Sequence, residues 1–165
     1  MSGPDTIDGL AARASRWVAL EELLFETLGE WARSVPEPAV KRALATWCHR
    51  HAWHADLWRA RLPHIPARTD ALDHTADVAA WIAPLQRVLA DPDTATSTAA
   101  KLEILVGPVL DAMQSAVDEH RAAIDDRLDG PTARILDLVD ADLTAERREL
   151  DAASASLSAS QPAEG

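Results

Sequence analysis

The sequence predicts an all-α fold, a four-helix bundle whose second and third helices are joined by one long crossover carrying a short extra helix. Three observations lead there. Apolar residues recur at alternating steps of three and four in four long segments, the spacing that places them on one helix face. No stretch alternates apolar and polar residues as a half-buried strand does. Proline and glycine punctuate the pattern at residues 34–38, 63–66 and 129–131, where helices have to stop.

The first helix is expected from about Thr6 to Ser34, with the seam Ile7, Leu10, Ala14, Trp17, Glu21, Leu24, Leu28, Trp31. Glu21 is the one charge in that seam, whereas Glu22, Glu26 and Glu30 fall on the other side and are read as solvated. Pro36 and Pro38 mark a stop and a new start. The second helix carries Val40, Leu44, Trp47, His51, His54, Trp58 and Leu62, and Pro63 and Pro66 end it. Residues 63 to about 96 form a connection long enough to cross over rather than turn back. Within it Val78, Trp81, Ile82, Leu85 and Leu89 mark the short amphipathic helix, with Pro84 in its first turns or at a kink.

The third helix is expected from Thr96–Thr98 to about Leu128, with Leu102, Val106, Val109, Met113, Ala116, His120 and Ile124 on its seam and a bend at Pro108. After the turn at Asp129, Gly130 and Pro131, the fourth carries Ile135, Val139, Asp142, Glu146, Glu149, Ala153 and Leu157. Residues 1–157 then make one domain, and the small polar stretch 158–165 is expected to be a disordered tail.

Composition narrows the function classes. A chain of 165 residues can bury a real core as a single domain. A formal charge of -11 argues against nucleic acid and anionic membrane as partners, since both reward basic surfaces. A single cysteine, Cys48, cannot form an internal disulfide and is read as packing. With neither signal peptide nor membrane-length apolar run, the expected location is the cytoplasm. The chain has six Trp but no Tyr, so no tyrosyl radical or phenolic acid/base can operate.

The chemistry lies in the polar residues that interrupt the seams: Glu21, His51 and His54, His120, then Asp142, Glu146 and, a turn further on, Glu149. Such groups are costly in a bundle interior unless paired, hydrogen-bonded or bound to a metal. His51 with His54, and Asp142 with Glu146, lie three or four apart on one face, so each pair could clasp one ion. Counting about 1.5 Å per residue from the two turns puts Glu21 level with His51, and His120 level with Asp142, both near mid-bundle if the second and third helices are parallel. Imidazole and carboxylate together suit iron, manganese, zinc, cobalt or nickel. A hydrogen-bonded polar network and a metal-free small-molecule cavity are the alternatives. His49, His64 and His74 are read as surface or loop residues, and Glu149 as solvated or salt-bridged. Trp17, Trp47 and Trp58 are read first as core.

The helix order, together with Leu28-Gly29-Glu30-Trp31, His51-Ala52-Trp53-His54-Ala55 and Pro131-Thr132-Ala133-Arg134-Ile135-Leu136, resembles the ferritin-like superfamily of metal-carboxylate bundles. That resemblance implies a lone Glu on each of two helices and a Glu-x-x-His on each of the others. Glu21 matches the first lone Glu, and His54 the His of the first Glu-x-x-His. The sequence departs from the pattern elsewhere: His51 occupies a Glu slot, His120 stands where the second lone Glu belongs, and the fourth helix offers Asp142 and Glu146 without a His. The implied function is a metal-dependent oxidoreductase acting on a small organic molecule, with oxygen as a possible co-substrate. Its ligands would be Glu21, His51, His54, His120, Asp142 and Glu146, and Glu146 would also move protons. Iron is the first candidate, manganese or zinc the alternatives, in one ion or two. The competing expectation is a non-catalytic bundle whose polar seam is structural or binds a ligand or protein. An apolar surplus on the crossover helix hints at a homodimer.

Overall fold

The computed structural model of the protein describes residues 6–63, 75–91, 97–125 and 127–159, and among them no strand occurs. The first helix, α1 (Ile7–Ser34), starts where Thr6 Oγ1 accepts a hydrogen bond from the Gly9 N–H at 3.1 Å, satisfying one of the N–H groups a helix start leaves over. It stops at Val35, which is extended as a residue before proline prefers to be. Helix α2 (Pro38–Arg59) opens on Pro38, where a missing N–H costs no helical bond. It ends before Leu62, the expected last seam residue, which is exposed.

Helix α3 (Thr75–Leu89) is the crossover helix, with Pro84 in its interior and Leu85 buried. The expected third helix comes in three pieces: α4 (Thr98–Ile104), a π-helical turn (Leu105–Val109) and α5 (Leu110–Ala123). Pro108 lies in that wide turn, which absorbs the hydrogen bond proline cannot donate. The Leu110 N–H reaches back to the Leu105 carbonyl, and Arg147 donates to the Val106 carbonyl at 3.0 Å. Helix α5 stops at Ala123, short of the expected Leu128. Ile124 is extended, and Asp125 gathers the next turn by accepting the N–H groups of Arg127, Leu128 and Asp129. Helix α6 (Gly130–Ala159) follows, with Asp129 Oδ1 accepting from the Thr132 N–H and from Arg61 at 2.8 Å. His64, His74, the expected helix start at Thr96 and tail residues 160–165 lie outside the described residues.

Side-chain pairs fix the helix directions. Glu22 with Arg59 and Phe25 with Cys48 make α1 and α2 antiparallel. Trp47 with Glu149 and His54 with Asp142 do the same for α2 and α6, and Asp111 with Arg147 and Gln114 with Asp140 for α5 and α6. Hence α2 and α5 run parallel, the arrangement a long crossover permits.

The core centres on Leu24, Leu28, Leu44, Trp47, Trp58, Leu102, Met113 and Leu136, each almost wholly buried. Burying one such leucine stabilises the fold by roughly 1.5–3 kcal/mol relative to leaving it exposed. Trp17 and Trp58 stack with ring centroids 5.2 Å apart, worth about 0.5–1.5 kcal/mol beyond their buried area. The α1 and α2 seams are those expected from Ala14 and Val40 onward, although Ile7 is exposed. The α6 seam differs. Its buried row is Thr132, Leu136, Val139, Leu143, Glu146, Leu150 rather than the expected row through Ile135, Asp142 and Glu149. Both rows have the three-four spacing and share Val139 and Glu146. The row with Leu143 and Leu150 is buried because leucines gain from leaving water, while Asp142 and Glu149 lose nothing by staying near it.

Candidate metal centre

Glu21 sits on the buried face of α1, where the seam runs on as leucine and tryptophan, so its carboxylate is drawn fully inside. Helix α2 meets it with two imidazoles one turn apart. His51 Nδ1 lies 2.6 Å from Glu21 Oε2, and His54 Nδ1 lies 3.5 Å from Glu21 Oε1. The two rings are nearly perpendicular, their centroids 6.1 Å apart. Helix α6 approaches from the other side. Asp142 Oδ2 is 3.0 Å from His54 Nε2, and Glu146 Oε2 is 3.7 Å from His51 Nε2. Each imidazole therefore stands between Glu21 and a carboxylate of α6.

Among the described residues, Glu21, His51 and His54 form the group in which one ligand atom from each lies within 4.8 Å of the others, so these three could hold a metal ion. Asp142 and Glu146 are outside that group. Three buried atoms here have no hydrogen-bond partner: Glu21 Oε1, His54 Nδ1 and Glu146 Oε1. The first two face each other at 3.5 Å. A buried polar atom left unsatisfied costs about 1–3 kcal/mol, so two opposed ligand atoms in this condition fit a cation between them. Two imidazoles with a carboxylate are a donor set that iron, manganese and zinc all accept.

The electrostatics follow from this packing. Burial acts to raise the Glu21 pKa, but the His51 and His54 imidazoles outweigh it and hold the carboxyl below its usual range. Burial acts to lower both imidazoles, yet Glu21, reinforced by Glu146 at His51 and by Asp142 at His54, holds them above the ordinary histidine value. Glu146 goes the other way. Its burial outweighs His51 and Arg50, and its carboxyl is raised.

His120 is not brought to this group, contrary to its expected place in the ligand set. Its Nδ1 accepts a 2.8 Å hydrogen bond from Trp17 Nε1, and its ring stacks on Trp58 with centroids 5.5 Å apart. The physical reason is height. Helix α5 ends at Ala123, so His120 lies in its last turn, whereas Asp142 lies more than three turns into α6 at about 3.6 residues per turn. The Asp111–Arg147 and Gln114–Asp140 pairs set Met113 and Leu110 opposite the Asp142–Glu146 stretch instead. Trp17 and Trp58 lie one turn from Glu21 and His54, and Trp47 one turn from His51 on the other side, so indole layers flank the cluster along α1 and α2.

Glu149 is half exposed and belongs to an outer pair. It accepts from Trp47 Nε1 at 2.6 Å and from Arg50 Nη2 at 3.0 Å. Arg50 Nη1 also comes within 3.7 Å of Glu146 Oε1. Of the two expectations for Glu149, solvated or salt-bridged, the structure shows the second, with Trp47 and Arg50, three apart on one helix, as its partners. Cys48 donates to the Phe25 carbonyl at 3.3 Å, and burial pushes its thiol up, as suits a packing residue. A cavity of about 330 Å³ between α1, α3 and α5 is mostly apolar and lined by Leu20, Trp81, Ile82, Leu85 and Ala116 among others, with no residue of the cluster.

No family model matches the chain, and neither a curated protein nor a solved structure does. No described helix is long and apolar enough to cross a membrane.

Proposed function

We propose that the chain is a ferritin-like four-helix bundle whose interior holds a divalent transition metal, iron first and manganese or zinc as alternatives, and that it works as an oxidoreductase on a small organic molecule with oxygen. One observation carries this reading: Glu21, His51 and His54 converge in a buried site where opposed ligand atoms lack hydrogen-bond partners. Glu21, His51 and His54 would hold the ion, which when bound supplies Lewis-acid or redox chemistry. Glu146 is the residue for moving a proton. It is buried, its carboxyl is raised, and its Oε1 makes no hydrogen bond, with Arg50 Nη1 3.7 Å away, while Oε2 points at His51. The tryptophan layers exclude water from the charged groups, which strengthens every interaction among them.

A second reading, a non-catalytic bundle with a structural polar seam, is favoured by the 2.6 Å contact of His51 with Glu21 and the 3.0 Å contact of His54 with Asp142. Protonated imidazoles in those positions satisfy the carboxylates without a metal. Elemental analysis of protein purified without chelator, and again after reconstitution with iron, manganese and zinc, separates the two. The metal reading expects stoichiometric uptake of at least one of them, and trace occupancy throughout would sink it. Anaerobic iron loading followed by air then tests the oxidoreductase step, and an unchanged optical spectrum counts against it.

A further inference from the structure

The sequence leaves open one ion or two, and leaves Asp142 and Glu146 as candidate ligands. From the way the imidazoles are sandwiched we infer that the centre takes one ion, bound by Glu21 and the Nδ1 atoms of His51 and His54, with Asp142 and Glu146 acting behind the rings as positioning residues. The inference rests on the metal reading and goes further in naming the ligand atoms and the number of ions.

Direction decides it. Both Nδ1 atoms face Glu21, at 2.6 and 3.5 Å, and both Nε2 atoms face α6, at 3.0 Å from Asp142 and 3.7 Å from Glu146. An imidazole offers a metal the lone pair of one nitrogen while the other carries a proton, and the hydrogen bond made by that proton selects the tautomer. Asp142 Oδ2 is placed to accept the Nε2 proton of His54, which leaves the His54 Nδ1 lone pair aimed at Glu21. Glu146 holds the same place behind His51 at longer range. Carboxylates in this position orient the ring and raise its basicity, and removing one commonly weakens metal binding about 10–100-fold without abolishing it.

Two further observations oppose a bridged pair. Asp142 and Glu146 fall outside the set of mutually close ligand atoms, so α6 supplies nothing to the same point as Glu21. Helix α5, where a second lone glutamate would have to stand, presents Met113 and Leu110 opposite that stretch. Bridging carboxylates are what hold two ions together in such bundles, and α5 and α6 have none in position.

The test uses the full chain stripped of metal and titrated with zinc, with bound metal counted after gel filtration. The result expected is one ion per wild-type chain. Asp142→Asn keeps an acceptor for the Nε2 proton, so it should still bind one ion, with affinity reduced at most about 10–100-fold. Glu21→Gln, checked for helical content by circular dichroism, should bind none. Nitrogen NMR of the zinc-loaded wild type should show the metal-induced shift at Nδ1 and the proton at Nε2 of His54. Two ions per chain, loss of binding in Asp142→Asn equal to that in Glu21→Gln, or a metal shift at Nε2 each overturn the inference. A wild-type chain that takes up no ion overturns the metal centre itself, a separate failure.

Discussion

Glu21→Leu in metal-free protein removes the carboxylate that both imidazoles face, and the structure sets the size of the effect. Glu21 and His51 are both buried and 2.6 Å apart, so the substitution strands His51, and with it His54, without their shared counter-charge. Removing one partner of a buried pair costs about 3–5 kcal/mol. For a chain of this size each kcal/mol moves Tm by about 2–4 °C, so the expected drop is roughly 6–20 °C. Adding His51→Leu and His54→Leu removes the stranded imidazoles as well. Replacing a whole buried ionic group by apolar residues is often neutral or stabilising by about 1–4 kcal/mol, so the triple variant should recover most of the loss. In that variant Asp142, a quarter exposed, can turn to solvent, and Glu146 keeps Arg50 as a counter-charge 3.7 Å away. Thermal and urea unfolding followed by circular dichroism, in chelator near neutral pH, measures both variants. A triple variant no more stable than Glu21→Leu refutes the reasoning, because it would make the cluster a structural keystone rather than a group kept for what it binds.

Other outcomes follow from the same contacts. The folded-state pKa values of His51 and His54 are raised, so their contribution to metal-free stability is complete below the ordinary value of 6.5 and is lost as pH rises through the folded values. Zinc-loaded protein should show the opposite slope, since the ion competes with protons for Nδ1; Tm measured against pH with zinc and with chelator checks the two signs. Trp17→Phe takes the indole donor from His120 Nδ1 and should cost about 1–3 kcal/mol, seen in urea unfolding, while metal stoichiometry stays unchanged. Gly107→Ala should stabilise by about 0.5–1 kcal/mol, because Gly107 lies in the π-helical turn without a positive φ and an added Cβ meets nothing within 4 Å; a lower Tm would mean the turn requires glycine.

The sequence was most legible where one helix face had no competitor. In α1 and α2 a single row of apolar residues contains Glu21, His51 and His54, and counting from the turn at 34–38 puts them level, as the structure does. Helix α6 offered two rows side by side, and the spacing rule alone cannot choose between Asp142 and Leu143 or between Glu149 and Leu150. What separates the rows is that Leu143 and Leu150 gain from leaving water, whereas Asp142 and Glu149 lose nothing by staying near it. His120 stands away from the cluster because α5 ends at Ala123 rather than near Leu128, and the turn that Asp125 closes leaves no mark in helical spacing. The π-helical turn announced itself only as Pro108, which forecast a bend but not the wide turn that accommodates it. The direction in which each imidazole points has no trace in one-dimensional spacing, since it depends on contacts from two helices at once.

Anomalous diffraction from a crystal soaked in manganese or zinc, recorded above and below the metal edge, is the most direct measurement of the centre. A site built by Glu21, His51 and His54 requires one peak per chain, within coordination distance of a Glu21 carboxylate oxygen and both Nδ1 atoms. No peak there, or a peak lying instead among Asp142, Glu146 and the Nε2 atoms, would contradict it.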